Sequence, residues 1–106
     1  MKTNENGMNV LEVGDEFKLE CYKSAPSKKF PDKTNAKILT TEGDIVFTSA
    51  AQIVKIFDGL TNDKELANLS EYTFRIVKAG EFNGYTILSV DSDNPMIKKK
   101  IRQILF

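Results

Sequence analysis

Over residues 71–91 the chain reads EYTFRIVKAGEFNGYTILSVD, and no other stretch constrains its fold as much. Residues 71–78 are rich in aromatic and β-branched side chains, residues 79–84 carry two glycines and an asparagine, and residues 85–90 return to strand composition. This pattern predicts a β-hairpin with a short polar loop. Side chains alternate along a strand, so Tyr72, Phe74 and Ile76 share one face and Thr73, Arg75 and Val77 the other. A lone hairpin this apolar is not stable in water, so the rest of the chain has to supply strands that close around it.

At 106 residues the chain is long enough for one domain with a core that needs neither disulfides nor a structural metal. Cys21 is the single cysteine and histidine is absent. An intrachain disulfide, a multi-thiolate metal site, an imidazole base and a histidine-ligated metal are therefore excluded. One cysteine fits a reducing, cytoplasmic setting. No stretch approaches the roughly 20 apolar residues of a membrane span, and MKTNENGMNV is too polar for a signal peptide. We expect no membrane partner.

Read in order, residues 1–9 form a polar, disordered tail, residues 10–94 the folded domain and residues 95–106 a terminal helix. Val13, Gly14 and Asp15 turn into a first strand over residues 16–23, with Phe17, Leu19 and Cys21 inward and Lys18, Glu20 and Tyr22 outward. SAPSKKFPDKT, residues 24–34, follows as an irregular loop with two prolines and three lysines. Residues 35–41 and 44–47 flank Glu42 and Gly43 as a second hairpin. Ser49 and Gln52 have the spacing of a capping box, opening a short helix over residues 50–58 with Ile53, Val54 and Phe57 on one face and Gly59 as its stop. Residues 60–70 connect this helix to the central hairpin. Asn94 and Pro95 then start the last helix, with Ile97, Ile101, Ile104 and Leu105 on one stripe. That stripe packs on the barrel, meets a partner, or pairs two copies of the chain.

Five strands with a helix between the third and fourth give a mainly β fold, the five-stranded Greek-key barrel of the oligonucleotide-binding (OB) type, with a C-terminal helix. AKILTTEGDIVFTSAAQIVKIFDGL followed by YTFRIVKAGEFNGYTILSVD resembles the small single-stranded-DNA-binding proteins of phages and mobile elements of low-GC Gram-positive bacteria, over roughly residues 14–91. The resemblance implies a barrel that binds single-stranded DNA during replication or recombination. It also implies a ligand lying across the second and third strands, between the loop of residues 24–34 and that of residues 79–84. The chain departs from the pattern in lacking tryptophan and in ending KKKIRQILF rather than in an acidic tail.

Charge distribution fits this reading better than total charge does. Fifteen basic residues balance fifteen acidic ones, yet residues 18–37 hold six lysines against Glu20 and Asp32. Stacking on aromatic rings together with lysine–phosphate contacts is the chemistry of single-strand binding. The candidate stacking residues are Tyr22, Phe30, Phe47 and Phe82. The candidate phosphate contacts are Lys23, Lys28, Lys29, Lys33, Lys37, Arg75 and Lys78. Phe30 has a competing role as a plug for the core. The acidic pairs Glu42/Asp44 and Asp91/Asp93 flank expected turns, where such residues serve the backbone rather than a cation. No phosphate-binding glycine loop is present. We therefore expect no cofactor and no enzyme. The alternative function is a protein-interaction module on the same scaffold, docking replication or recombination proteins through the C-terminal helix.

Overall fold

The central hairpin is formed by β6 (Thr73–Phe82) and β7 (Tyr85–Asp91) in a computed structural model that describes residues 1–66 and 68–106. Its turn is tighter than the composition suggests. β6 runs on to Phe82, and only Asn83 and Gly84 lie between the strands, with φ of 50° and 80°. An asparagine–glycine pair with two positive φ angles matches the right-handed twist of the flanking strands. Ala79 is absorbed as a bulge, the register shifting between Lys78 and Gly80. Phe74 and Ile76 are buried as expected.

The other strands are β1 (Lys2–Thr3), β2 (Asn9–Val10), β3 (Glu16–Pro26), β4 (Thr34–Thr40) and β5 (Ile45–Thr48). They join the hairpin in one curled, open sheet of seven strands, in the order β1-β2-β5-β4-β3-β6-β7. The architecture is thus mainly β with two helices, and the sheet is not a closed five-stranded barrel. The five expected strands are present as β3 to β7, but among the described residues β7 pairs only with β6, and β2 lies parallel along the edge of β5. Where the sequence suggests a tail, residues 1–10 instead form a small antiparallel pair at the sheet edge, and the Met1 amino group meets Asp15 at 2.9 Å.

β3 is the strand on which the curl turns. Glu16 to Lys18 pair with β6, whereas Leu19 to Pro26 pair with β4. The register slips between Leu19 and Cys21, so a bulge marks the point where the strand passes from one half of the sheet to the other. The extra residue reverses the alternation beyond it. Phe17 and Leu19 point inward as expected, but Cys21 is exposed and Tyr22 turns in. β3 and β4 then continue as a long hairpin, paired as far as Pro26 and Thr34, which shortens the expected loop to residues 27–33.

Helix α1 (Ala51–Thr61) buries Ile53, Val54, Ile56, Phe57 and Leu60 against the concave side of the sheet. The Phe57 ring lies 5.1 Å from that of Phe74, edge to face, and 6.1 Å from that of Phe17. A fully buried Phe of this kind contributes about 1.5 to 3 kcal/mol. No capping box forms: Ala50 is the N-cap and has no side-chain bond to give. Nor does Gly59 stop the helix, which runs to Thr61 before a single 3-10 turn over Leu69–Glu71. Helix α2 (Pro95–Leu105) is capped as expected, the Asn94 carboxamide oxygen accepting from the Met96 and Ile97 N–H groups at 3.0 and 3.1 Å. Ile97 and Ile101 enter the same core as the strands. Among the described residues no helix is long and apolar enough to cross a membrane.

Candidate nucleic-acid interface

The convex face of β3, β4 and β5 carries side chains that alternate with the core. On β4, Ala36, Ile38 and Thr40 are buried, so Asn35, Lys37 and Leu39 point outward. On β5, Val46 is buried, while Ile45 and Phe47 are 44% and 42% exposed. The register aligns these residues in rows. Cys21, Leu39 and Ile45 lie side by side, and Lys23, Lys37 and Phe47 form the next row. The Lys37 ammonium stands 5.8 Å from the centre of the Phe47 ring. An aromatic ring with lysines beside it is thus set in a rigid sheet rather than in a loop.

Beyond these rows the β3–β4 hairpin reaches its tip. The Lys33 carbonyl accepts from the Ser27 N–H at 2.8 Å, and the Ser27 hydroxyl accepts from the Phe30 N–H at 3.2 Å. This small internal frame presents Phe30 to solvent, half exposed, so it does not plug the core. Lys29 and Lys33 hold their ammonium groups 5.6 and 5.4 Å from its ring. Lys28 is exposed next to them.

Three of the expected residues lie elsewhere. Tyr22 is on the inner side of β3, its ring 5.6 Å from Phe57 and its hydroxyl donating to Asp58 Oδ1 at 2.8 Å. Burial, and then the bond to the Asp58 carboxylate, raise its pKa well above the ordinary phenol range. Its ring is turned toward the core and away from the lysine-bearing face. Arg75 lies where β6 meets the start of β3. It is committed to carboxylates, with Nε 2.9 Å from Glu16 and Nη2 2.8 Å from Asp93. Lys78 pairs with Glu81 three residues on. The cations that remain without a carboxylate partner among the described residues include Lys23, Lys28, Lys29, Lys33 and Lys37, all on the β3–β4 hairpin.

Phe82 is brought toward the same region by a different route. The two-residue turn sets it directly opposite Tyr85, and the two rings are 68% and 77% exposed. They line a cleft of about 690 Å³ at the open seam of the sheet, with Phe47 and the start of α1 also in its wall. Tyr85 is absent from the sequence-derived set because a broad loop over residues 79–84 gives it no fixed partner. Reading Asn83 and Gly84 as the whole turn would have paired it with Phe82. Ile45 and Leu39 are the other outward residues that sequence reasoning missed. Comparison with protein-family models, with curated protein sequences and with solved structures finds no match to this chain.

Proposed function

We propose that this chain binds single-stranded DNA without sequence preference, on an OB-type frame, in replication or recombination. One observation carries the reading. Among the described residues Lys23, Lys28, Lys29, Lys33 and Lys37 of the β3–β4 hairpin have no carboxylate partner, and Lys29, Lys33 and Lys37 stand beside two exposed rings, Phe30 and Phe47. Unpaired ammonium groups beside exposed rings suit a strand whose phosphates and bases are met in alternation. The frame supports it too. A meander of β3, β4 and β5, a return of β6 to β3, and a helix between β5 and β6 follow OB-type order. In place of a closing pair between β7 and β5, this chain has β2 on β5.

The test is fluorescence anisotropy of a labelled oligo-dT of roughly 30 nucleotides at low and moderate salt, with duplex as control. Single-strand binding that falls steeply with salt, with little binding of duplex, is the expected result. No binding at low salt would overturn the reading. Docking of a protein through the C-terminal helix, or pairing of two copies by it, is less well supported. Its apolar stripe is already covered: Ile97 and Ile101 are in the core, and Ile104 lies over Gly59.

A further inference from the structure

The seven-stranded sheet ends on β1 at one side and on β7 at the other. A sheet edge displays unpaired N–H and C=O groups, and natural sequences guard such edges with short strands, lysines, prolines or bulges. β1 is guarded, being two residues long with Lys2 as one of them. β7 is not. It runs for seven residues, YTILSVD, without lysine or proline, and the bulge of the hairpin is in β6. The hairpin closes on Phe82 and Tyr85 around a two-residue turn, so that pair exchanges both of its bonds and the next pair exchanges none. Alternation along β7 therefore turns the main-chain N–H and C=O groups of Thr86 and Leu88 away from β6. Among the described residues no other segment bonds to them there.

We propose that the outer edge of β7 takes up an extended, uncharged segment of a partner protein as an added strand lying in the seam cleft. Thr86 and Leu88 line that cleft, and none of the described residues around it is charged. A peptide main chain donates and accepts in alternation at the spacing of the edge. A nucleic-acid backbone does not, since its phosphates only accept, and they would find no counter-charge in the cleft. Phe82 and Tyr85 lie on one face of the hairpin, and Leu88, packed against the core, lies on the other. Successive side chains of an added strand thus meet apolar groups on both faces, which selects an uncharged segment. The volume of about 690 Å³ lies in the range that encloses a drug-sized molecule, room for a few extended residues. Val10 and Leu11 stand across the cleft from β7, so a strand laid there is flanked by this chain on its far side as well. A second copy would have to bring its own β7, with the same walls around it, into that space. A short segment of another chain brings only itself.

Amide hydrogen exchange on the full chain reads the edge directly. In the free protein Thr86 and Leu88 should exchange faster than Ile87 and Ser89, whose N–H groups face β6. Binding is then measured by fluorescence polarisation with labelled, end-blocked heptapeptides in which valine, leucine or phenylalanine alternates with threonine. A second panel carries lysine or glutamate at the alternate places. The uncharged peptides are expected to bind and to slow exchange at Thr86 and Leu88, and the charged ones to do neither. Thr86→Pro removes an N–H that only an edge strand can spare, and should weaken the peptide about 2- to 12-fold, the range for one hydrogen bond. Thr86→Lys sets a charge in the cleft and should abolish binding. Thr86 is exposed, so thermal melting should show both variants folded. Failure of every uncharged peptide to bind, or binding that leaves exchange at Thr86 and Leu88 unchanged, would overturn the proposal. Protection already present in the free protein and rising with its concentration would give the edge to a second copy. Displacement of the peptide by oligo-dT would give the cleft to the single strand. None of the supporting outcomes depends on oligo-dT binding, so this proposal and the single-strand reading stand or fall separately.

Discussion

Gly59 of α1 lies against Ile104 of α2. A Cβ there would reach within 2.6 Å of Ile104 Cδ1 and 2.7 Å of its Cγ1. Alanine in a helix interior is normally better than glycine by about 1 kcal/mol, but overpacking of a tight contact costs about 1 to 3 kcal/mol. Gly59→Ala is therefore expected to lower the melting temperature. Adding Ile104→Ala should recover part of the loss, a non-additivity that thermal denaturation of the two single variants and the double variant would reveal. As a sequence signal Gly59 reads as a helix stop, and only the partner helix shows it to be a point of contact. Tyr22 teaches the same lesson in a strand. Strict alternation puts it outside, while one extra residue at Glu20 turns it toward Phe57 and Asp58. Bulges leave no compositional mark, so side-chain direction after residue 20 was not legible, whereas Phe17, Leu19, Phe74 and Ile76 were.

The two helices begin in different ways. Asn94 satisfies two N–H groups of α2, while Ser49 gives α1 no side-chain cap. Asn94→Ala should cost about 1 kcal/mol of stability and Ser49→Ala should stay within about 0.5 kcal/mol, as denaturant titration would measure. The capping-box spacing at Ser49 and Gln52 is real, but the path of the chain out of β5 makes Ala50 the N-cap. The α2 signal, asparagine followed by proline, was legible because both bonds are local. α2 is also tied to the connector, Lys100 Nζ lying 2.8 Å from Asp63 and 2.9 Å from Glu65. The bond from Lys100 holds the Asp63 carboxyl below its ordinary pKa, and the bond to Asp63 raises that of Lys100. For Asp63 the stabilisation is present above the ordinary aspartate value near 4 and is lost as pH falls through the depressed one. For Lys100 it is complete below the ordinary lysine value and lost as pH rises through the raised one. Melting curves of Lys100→Met should accordingly vary less with pH than wild type at both extremes, with the largest deficit in the neutral range.

Across the molecule, zero net charge conceals a division of labour. Acids pair with Arg75 and Lys78 of β6 and with Lys98 and Lys100 of α2, while among the described residues Lys23, Lys28, Lys29, Lys33 and Lys37 of the β3–β4 hairpin have no carboxylate partner. Lys28→Gln/Lys29→Gln/Lys33→Gln should leave the melting temperature nearly unchanged. In a binding titration across salt, it should flatten the dependence of single-strand affinity by about one unit of slope per lysine that contacts phosphate. The crowding of lysines was visible in the sequence, but their lack of partners was not, because pairing depends on which carboxylates the fold brings near. The open sheet was equally hidden. β1 and β2 are two residues each, too short to show a period, and β2 finds Val46 far along the chain.

β3 also has a place in time. Its distal half pairs with β4, which follows at once in the chain, and its first three residues wait for Thr73 to Arg75. Short loops close at less entropic expense than long ones, so the lysine-bearing hairpin can assemble before the strand that completes the sheet has been found. One strand thus takes part in both an early, local event and a late, distant one. The bulge after Leu19 is the seam between these two stages of folding, as it is between the two halves of the finished sheet.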